Sequence, residues 1–400
     1  MDAGWGQPTH RAAVAAVVLV AVTAVPTVPD AKAGGCLRAP TSTETGVPWG
    51  QQRLGVERAW PLSRGAGVVV ALVDTGVDAG VPQLRGRVLR GADLTAAGRP
   101  RADNDCFGHG TFVAGIVGAA PAAGTGFAGV APDARILPIR VTNGMDDGTA
   151  SGLAEGVRAA VDADAKVINI SASTPVPAPS LVSAIEYAEE RDVVVVAAAA
   201  NGAGQGKFVA YPAALPTVVA VGAIDSSGAL AGFSQTGKHL GLVAPGVDVT
   251  SVGPRGPGHW QGSGTSYAVP FVAGTAALVR AYRPNLSAAQ VRARLRATAD
   301  HPAAAMPDPG FGWGVVNPAA AVSAVLPEEG DAGAAVPPPP ARRPDLPPPD
   351  PTGPWLAALA AGVAVVVTAA VALLAALLPA GNRRRWRPPR AAAVDRVRRS

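Results

Sequence analysis

The sequence predicts an α/β fold, a mostly parallel twisted sheet with helices on both faces, plus one C-terminal transmembrane helix. Three observations carry this. Short β-branched or apolar runs recur through residues 50–325, helical patterns lie between them, and Trp355–Leu378 carries no charge at all. Runs of the first kind fit strands buried on both faces, and strand alternating with helix implies a parallel sheet covered on both sides.

The strand candidates are Val68–Val73, Ile136–Val141, Val167–Ile170, Val193–Ala198 and Val218–Val221. The helix candidates are Gly152–Asp162, Ser180–Glu190, Ser266–Tyr282 and Ser287–Ala297. Ser287, with Gln290 three residues on, reads as a capped helix start. Sites in such folds lie beyond the carboxyl ends of the strands. No internal repeat is evident, and no glycine-rich nucleotide loop of convincing form.

The two ends read differently from the middle. Arg11 supplies positive charge, Ala12–Val25 is a short apolar run, Pro26 breaks it, and Ala31-Lys32-Ala33 offers small residues at a cleavage position. Residues 1–33 therefore read as a signal peptide. An uncleaved anchor and a lipid-modified Cys36 are the alternatives. At the other end, Val336–Pro351 is proline-rich, hence extended and stiff. The uncharged stretch after it, about 24 residues at ~1.5 Å each, reaches ~36 Å, enough to cross ~30 Å of hydrocarbon with some tilt. Trp355 and Trp386 stand at its edges as interfacial anchors. The expected organisation is a signal peptide at 1–33, a globular domain with an N-terminal extension at 34–326, a proline-rich linker at 327–353, a membrane helix at 354–378 and a basic tail at 379–400.

Charge supports that topology. The net charge is +5, but Arg383, Arg384, Arg385, Arg387, Arg390, Arg396, Arg398 and Arg399 all lie in the final tail. Basic residues favour the cytoplasmic side of a membrane, so the tail is inside and the large domain outside. A basic flank of this kind speaks against a nucleic-acid partner. The expected location is the cytoplasmic membrane, crossed once. Cys36 and Cys106, the two cysteines, are enough for a single disulfide in an exported chain.

Four segments carry chemistry. Val70-Ala71-Leu72-Val73-Asp74-Thr75-Gly76 puts an acid where a buried strand ends. Phe107-Gly108-His109-Gly110-Thr111 puts a histidine between glycines, just before a helix of small and apolar residues. Gly262-Ser263-Gly264-Thr265-Ser266-Tyr267-Ala268 puts a serine at the start of another helix. Val193–Ala200 runs into Asn201-Gly202. Singly, Asp74 and Asn201 are turn residues, His109 a core histidine and Ser266 an N-cap. Together they are the parts of a nucleophilic site. A serine hydroxyl needs an imidazole to take its proton and pass it to the leaving amine, and a carboxylate to hold that imidazole in one tautomer. An amide N–H₂ together with the Ser266 N–H can stabilise the oxyanion.

These motifs, in the order Asp, His, Ser, resemble those of the subtilase family over residues 49–325. Gly129-Val130-Ala131-Pro132-Asp133-Ala134 and Ile136-Leu137-Pro138-Ile139-Arg140 also resemble subtilase core sequence. A narrower resemblance is to the mycosins, membrane-anchored subtilases associated with type VII secretion in actinobacteria. It rests on Pro48–Leu54, Ala59–Gly65, Val81–Leu84, Asp105–His109, Gly124–Gly129 and Gly312–Pro318, with the proline-rich stalk and final helix. The resemblance implies a serine endopeptidase without cofactor, with catalytic Asp74, His109 and Ser266, Asn201 in the oxyanion hole, and a Cys36–Cys106 bridge. It implies an extended polypeptide substrate and membrane components of a type VII secretion complex as partners. Where subtilases carry Ser-Leu-Gly-Gly along the substrate, this chain has Ser171-Ala172-Ser173-Thr174, so Ser171, Ala172 and Ser173 are the expected substrate-binding residues with an altered preference. Between Ala33 and Trp49 there is no room for a folded inhibitory prodomain. Asp103, Asn104, Asp105, Asp146 and Asp147 read as acidic loop turns rather than a calcium site, and His239, His259 and His301 show no metal-ligand spacing. The alternative function is a structural component of a secretion complex for which proteolysis is secondary.

Overall fold

The computed structural model describes residues 36–144, 149–333 and 352–383. In chain order its elements are α1 (Trp49–Leu54), β1 (Val69–Asp74), β2 (Ala92–Asp93), α2 (His109–Gly118), β3 (Arg135–Arg140), α3 (Ala150–Asp162) and β4 (Val167–Ile170). There follow α4 (Pro179–Glu190), β5 (Val194–Ala198), β6 (Val218–Ile224), β7 (Leu240–Pro245), β8 (Val249–Val252) and β9 (His259–Gly262). The last are α5 (Thr265–Tyr282), α6 (Ala288–Ala297), α7 (Pro318–Ser323) and α8 (Thr352–Arg383).

Seven strands make one sheet in the order β2-β3-β1-β4-β5-β6-β7, all neighbours parallel. Strands β4 to β7 are buried at every residue, which is why most of them read as unbroken apolar runs rather than alternating ones. From β1 the chain goes to β3 on one side and then to β4 on the other. Winding reverses there, and a crevice opens beyond the carboxyl ends of β1 and β4.

Helices cover both faces. A Cβ on Gly156 of α3 would press on Val73, whereas one on Gly110 of α2 would lie 3.1 Å from Asp74 Oδ1. Val73 and Asp74 are consecutive in β1 and point to opposite faces, so α2 and α3 lie on opposite sides of the sheet. Helix α5 packs on β4 to β7 with α2 beside it, and α3 packs with α4. Helix α5 is buried along nearly its whole length, and its interior proline, Pro270, stands close behind Ser266.

The expected strands and helices are present with ends moved by up to three residues, the largest shift being in β6, which runs on from Val221 to Ile224. The capping box at Ser287 and Gln290 forms as expected. Strand β7 and the β8–β9 hairpin were not expected, because Leu240-Gly241-Leu242-Val243-Ala244-Pro245 and His259-Trp260-Gln261-Gly262 break the apolar pattern with glycine, proline and polar residues.

Ahead of α1, residues 36–48 form a strap. Leu37 N–H donates to Cys106 O (2.9 Å), His259 N–H to Ser42 O (2.8 Å) and Glu44 N–H to His259 Nδ1 (3.0 Å). The Cys36–Cys106 disulfide ties its first residue to the loop before α2. At the other end the folded unit runs past residue 326, where the linker was expected to begin. Glu329 is buried against Arg294 of α6, with Arg294 Nε 2.6 Å from Oε1.

The chain divides into two compact units, one ending at Pro338 and one beginning at Pro339. In the second, the described side chains of α8, residues 359–374, are all exposed. That stretch alone is short for a crossing, and among the described residues no helix is long and apolar enough to cross a membrane. The expected signal peptide, the linker from residue 334 to 351 and the basic tail from 384 lie outside the described residues.

Candidate active site

Asp74 is the last residue of β1, between β3 and β4. Its Oδ1 accepts the Thr75 N–H (2.8 Å) and lies 2.7 Å from His109 Nδ1. A carboxylate can only accept, so Nδ1 carries the proton and Nε2 is the basic nitrogen. His109 Nε2 is buried and has no hydrogen-bond partner among the described residues. Burial works against the charged ring, but the charge and hydrogen bond of Asp74 and the charge of Asp105 outweigh it, raising His109 above its ordinary 6.5.

His109 opens α2 rather than preceding it. The glycine after it is a matter of distance. A Cβ at Gly110 would fall 2.1 Å from Gly76 O, so only glycine lets this helix come close enough to the β1 turn for His109 to reach Asp74.

Ser266 is the second residue of α5, and Gly264 takes the N-cap position, so Ser266 has no capping duty. The local backbone explains its setting. Pro270 has no N–H, which leaves the carbonyl four residues earlier, Ser266 O, without its helical partner. Ser171 Oγ donates to that carbonyl (3.2 Å) and itself accepts from buried Asn169 Nδ2 (2.9 Å). Ser171 thus couples the segment expected along the substrate to the backbone of Ser266.

Asn201 follows β5. Its Oδ1 accepts the Thr265 N–H (2.9 Å) and Oγ1–H (3.1 Å), which fixes the amide and leaves Nδ2 to donate elsewhere. A Cβ at Gly264 would lie 3.5 Å from Asn201 Nδ2 and 3.6 Å from Ser266 Oγ. The glycine keeps open the space between that donor and the hydroxyl, where an oxyanion is best placed. The positive end of the α5 dipole adds to the same field.

Asp74, His109, Ser171, Ala172, Ser173, Asn201 and Ser266 all line one cavity of about 170 Å³, with Thr75, Thr142, Gly144, Ala198, Ala200 and Thr265. Among the described residues, Asp74 and His109 are its only charged or titratable lining residues. Every residue expected at the site is brought together.

Sequence reasoning passed over Tyr267. Its ring lies 5.2 Å from the His109 ring and 4.5 Å from Phe112, centre to centre, and backs the imidazole. Burial, and then the charge of Asp74, push its hydroxyl pKa up, so it stays neutral. Asp103 pairs with Arg101, Asn104 Oδ1 accepts from Arg140 (2.7 Å), and Asp105 is buried behind His109. Asp146 and Asp147 lie outside the described residues. His259 bonds Glu44 and Gln83, and burial pushes it down to about 4, so it is neutral and structural.

The sequence pattern of the subtilase family matches residues 65–314. The chain belongs to the subtilase family. This subtilase is 39% identical over 262 residues to a thermophilic serine proteinase of Bacillus sp. (strain AK1), covering 64% of this chain and 62% of that relative. It therefore spans a little under two thirds of that protein's length. It is 36% identical over 354 residues to Mycosin-3 of Mycobacterium tuberculosis (strain ATCC 25618 / H37Rv), covering 73% of this chain and 76% of the relative. Its fold is similar to that of MycP1, a serine protease described as an essential component of the type VII (ESX-1) secretion system. The TM-score is 0.65 at 32% identity, covering 76% of this chain and 97% of that one. The subtilase and mycosin resemblances of the motifs are borne out, and the family match takes in the segments of Asp74, His109, Asn201 and Ser266.

Proposed function

We propose that this subtilase is a serine endopeptidase in which Ser266 attacks the peptide carbonyl, His109 is the general base and then acid, and Asp74 orients the ring. The observation that carries the reading is the 2.7 Å contact between His109 Nδ1 and Asp74 Oδ1 in a cleft shared with Ser266 and Asn201. His109 Nε2 takes the Ser266 proton as Oγ attacks. The tetrahedral oxyanion collects the Asn201 N–H₂ and the Ser266 N–H. The imidazolium hands its proton to the leaving amine, and water repeats the sequence on the acyl-enzyme.

The substrate is an extended polypeptide lying along Ser171, Ala172 and Ser173, whose backbone pairs with it as an added strand. Apart from the triad the cleft is lined, among the described residues, by small uncharged ones, which fits a small uncharged side chain before the scissile bond. The chain is anchored by residues 354–378 in the cytoplasmic membrane, with the peptidase unit outside and the tail inside. The uncharged sequence, its flanking tryptophans and the arginine-rich tail support this. By its likeness to MycP1 and Mycosin-3, its partners are membrane components of a type VII secretion system.

The test is labelling of the full-length chain with a fluorophosphonate, beside Ser266→Ala. Labelling of the wild type alone is the expected result; an unlabelled, folded wild type would sink the reading. A structural role in secretion is the second reading, favoured by the description of MycP1 as a component. Ser266→Ala that loses cleavage yet keeps secretion would bring that role to the front.

A further inference from the structure

The loop before His109 holds a second buried carboxylate that the steps above do not use. Asp105 Oδ1 accepts the Gly108 N–H (2.8 Å) and the Thr75 Oγ1–H (3.1 Å). Its Oδ2 accepts the N–H (2.9 Å) and the Oγ1–H (2.7 Å) of Thr111. Thr75 Oγ1 in turn accepts the Gly110 N–H (2.9 Å).

These contacts answer a need created by the sequence. The first N–H groups of a helix have no partner within it, and an N-cap side chain normally supplies one. In α2 the N-cap is Gly108, which has no side chain to offer. The orphaned N–H groups of Gly108, Gly110 and Thr111 end instead on Asp105 or on the Thr75 hydroxyl it orders. Thr75 follows Asp74 directly, so one carboxylate grips both the turn that carries Asp74 and the helix turn that carries His109.

The segment around Asp105 is held from both sides. Arg140, the last residue of β3, donates from Nε to Thr75 O (2.9 Å) and from Nη2 to Asn104 Oδ1 (2.7 Å), and pairs with Asp93 (2.6 Å). The next residue, Cys106, is bonded to Cys36.

We propose that Asp105 is a positioning residue for the Asp74–His109 pair. It fixes the imidazole through the helix turn, and it adds a negative charge that favours the imidazolium formed when Ser266 gives up its proton. This rests on the serine-protease reading above.

The charge argument agrees with the geometry. Burial pushes Asp105 up to about 6, against the hydrogen bonds from Gly108 and Thr111 and with help from the Asp74 charge. Ionising it therefore costs stability as pH rises through that value. An asparagine would avoid the cost, but it has one acceptor oxygen, and its amide would face an N–H donor. The titratable groups against His109 are Asp74, Asp105 and the neutral Tyr267.

The test is the rate of fluorophosphonate reaction with the full-length chain as a function of pH, for wild type, Asp105→Asn and Thr75→Val. Asp105→Asn is expected to slow the reaction at saturating probe by about 10- to 100-fold, the scale of a small misplacement at a reacting group. Half-saturation should hold, and the acid limb should move to lower pH as His109 loses a negative neighbour. Thr75→Val keeps the buried charge, cuts the link to the Asp74 turn, and should slow the reaction less. An Asp105→Asn chain with the wild-type rate and acid limb overturns the proposal. So does one whose rate falls only with its folded fraction, by circular dichroism, while the limb stays put. If Asp105→Asn does not fold, a Thr75→Val chain at full rate overturns it. A wild type that never reacts overturns the protease reading itself, and this proposal with it.

Discussion

Two pairs of buried, oppositely disposed groups in this molecule are built to opposite rules. At the far end from the cleft, Arg294 directs Nε and Nη2 to the two oxygens of Glu329, and Nη1 to Ala321 O (2.8 Å) and Ala324 O (3.0 Å). No side-chain donor or acceptor atom of that pair is left without a partner. At the cleft, Asp74 and His109 meet through one oxygen and one nitrogen, while Asp74 Oδ2 and His109 Nε2 have no partner among the described residues. Leaving a buried polar group unmatched is costly, so an incomplete pair marks a place where something other than stability is served. A saturated pair closes the fold; an unsaturated pair keeps valence in reserve for a substrate.

That contrast can be broken by experiment. Glu329→Ala leaves Arg294 buried without a counter-charge, and should cost about 3–5 kcal/mol of stability in denaturant unfolding. Its fluorophosphonate reaction per folded molecule should match wild type. A mutant as stable as the parent would mean that the pair does not close the fold. Asn201→Ala should do the reverse. Loss of an oxyanion donor lowers kcat by about 10²- to 10³-fold, or about 2.7–4 kcal/mol in the barrier, with little change in unfolding midpoint. An unchanged kcat on an oligopeptide amide would remove Asn201 from the site.

The smallest effect is one of pH. His109 in the fold sits above 6.5, so charging it stabilises the folded chain. That contribution is full below pH 6.5 and is lost as pH rises through the folded value. Catalysis needs the neutral ring and follows the opposite course, falling as pH drops through the same raised value. A pH–rate profile whose acid limb lies below 6.5 would contradict the assigned environment.

How far the sequence could be read depended on whether a residue's role was local. Strands β1 and β3 to β6 were legible because burial on both faces demands unbroken apolar runs, as in Val193–Ala198. Strand β7 was not, since Gly241 and Pro245 interrupt it while its burial is set by neighbours from elsewhere in the chain. Asp74, His109, Asn201 and Ser266 were legible because each stands at the end or start of an element. Asp105 was not. In Asp103-Asn104-Asp105 it reads as a solvated turn, and only the fold brings Thr75 and Thr111 to it. The one available signal was a glycine N-cap ahead of a helix with no capping side chain of its own. Ser171 was expected to meet substrate, but its bond to Ser266 O follows from Pro270, a residue far away in sequence.

The parallel sheet has a consequence in time. Neighbouring parallel strands are joined by long crossovers, and the three residues of the proposed triad come from well-separated parts of the chain: the end of β1, the start of α2 and the start of α5. A polypeptide emerging from its N-terminus presents Asp74 and His109 first, then Asn201, and only later Ser266 with the helix that packs across β4 to β7. Until α5 arrives, β4 to β7 lack the helix that packs on them and the cleft lacks Ser266. On the serine-protease reading, a chain still short of residue 266 cannot cut, so the order of synthesis itself delays activity until most of the fold is in place.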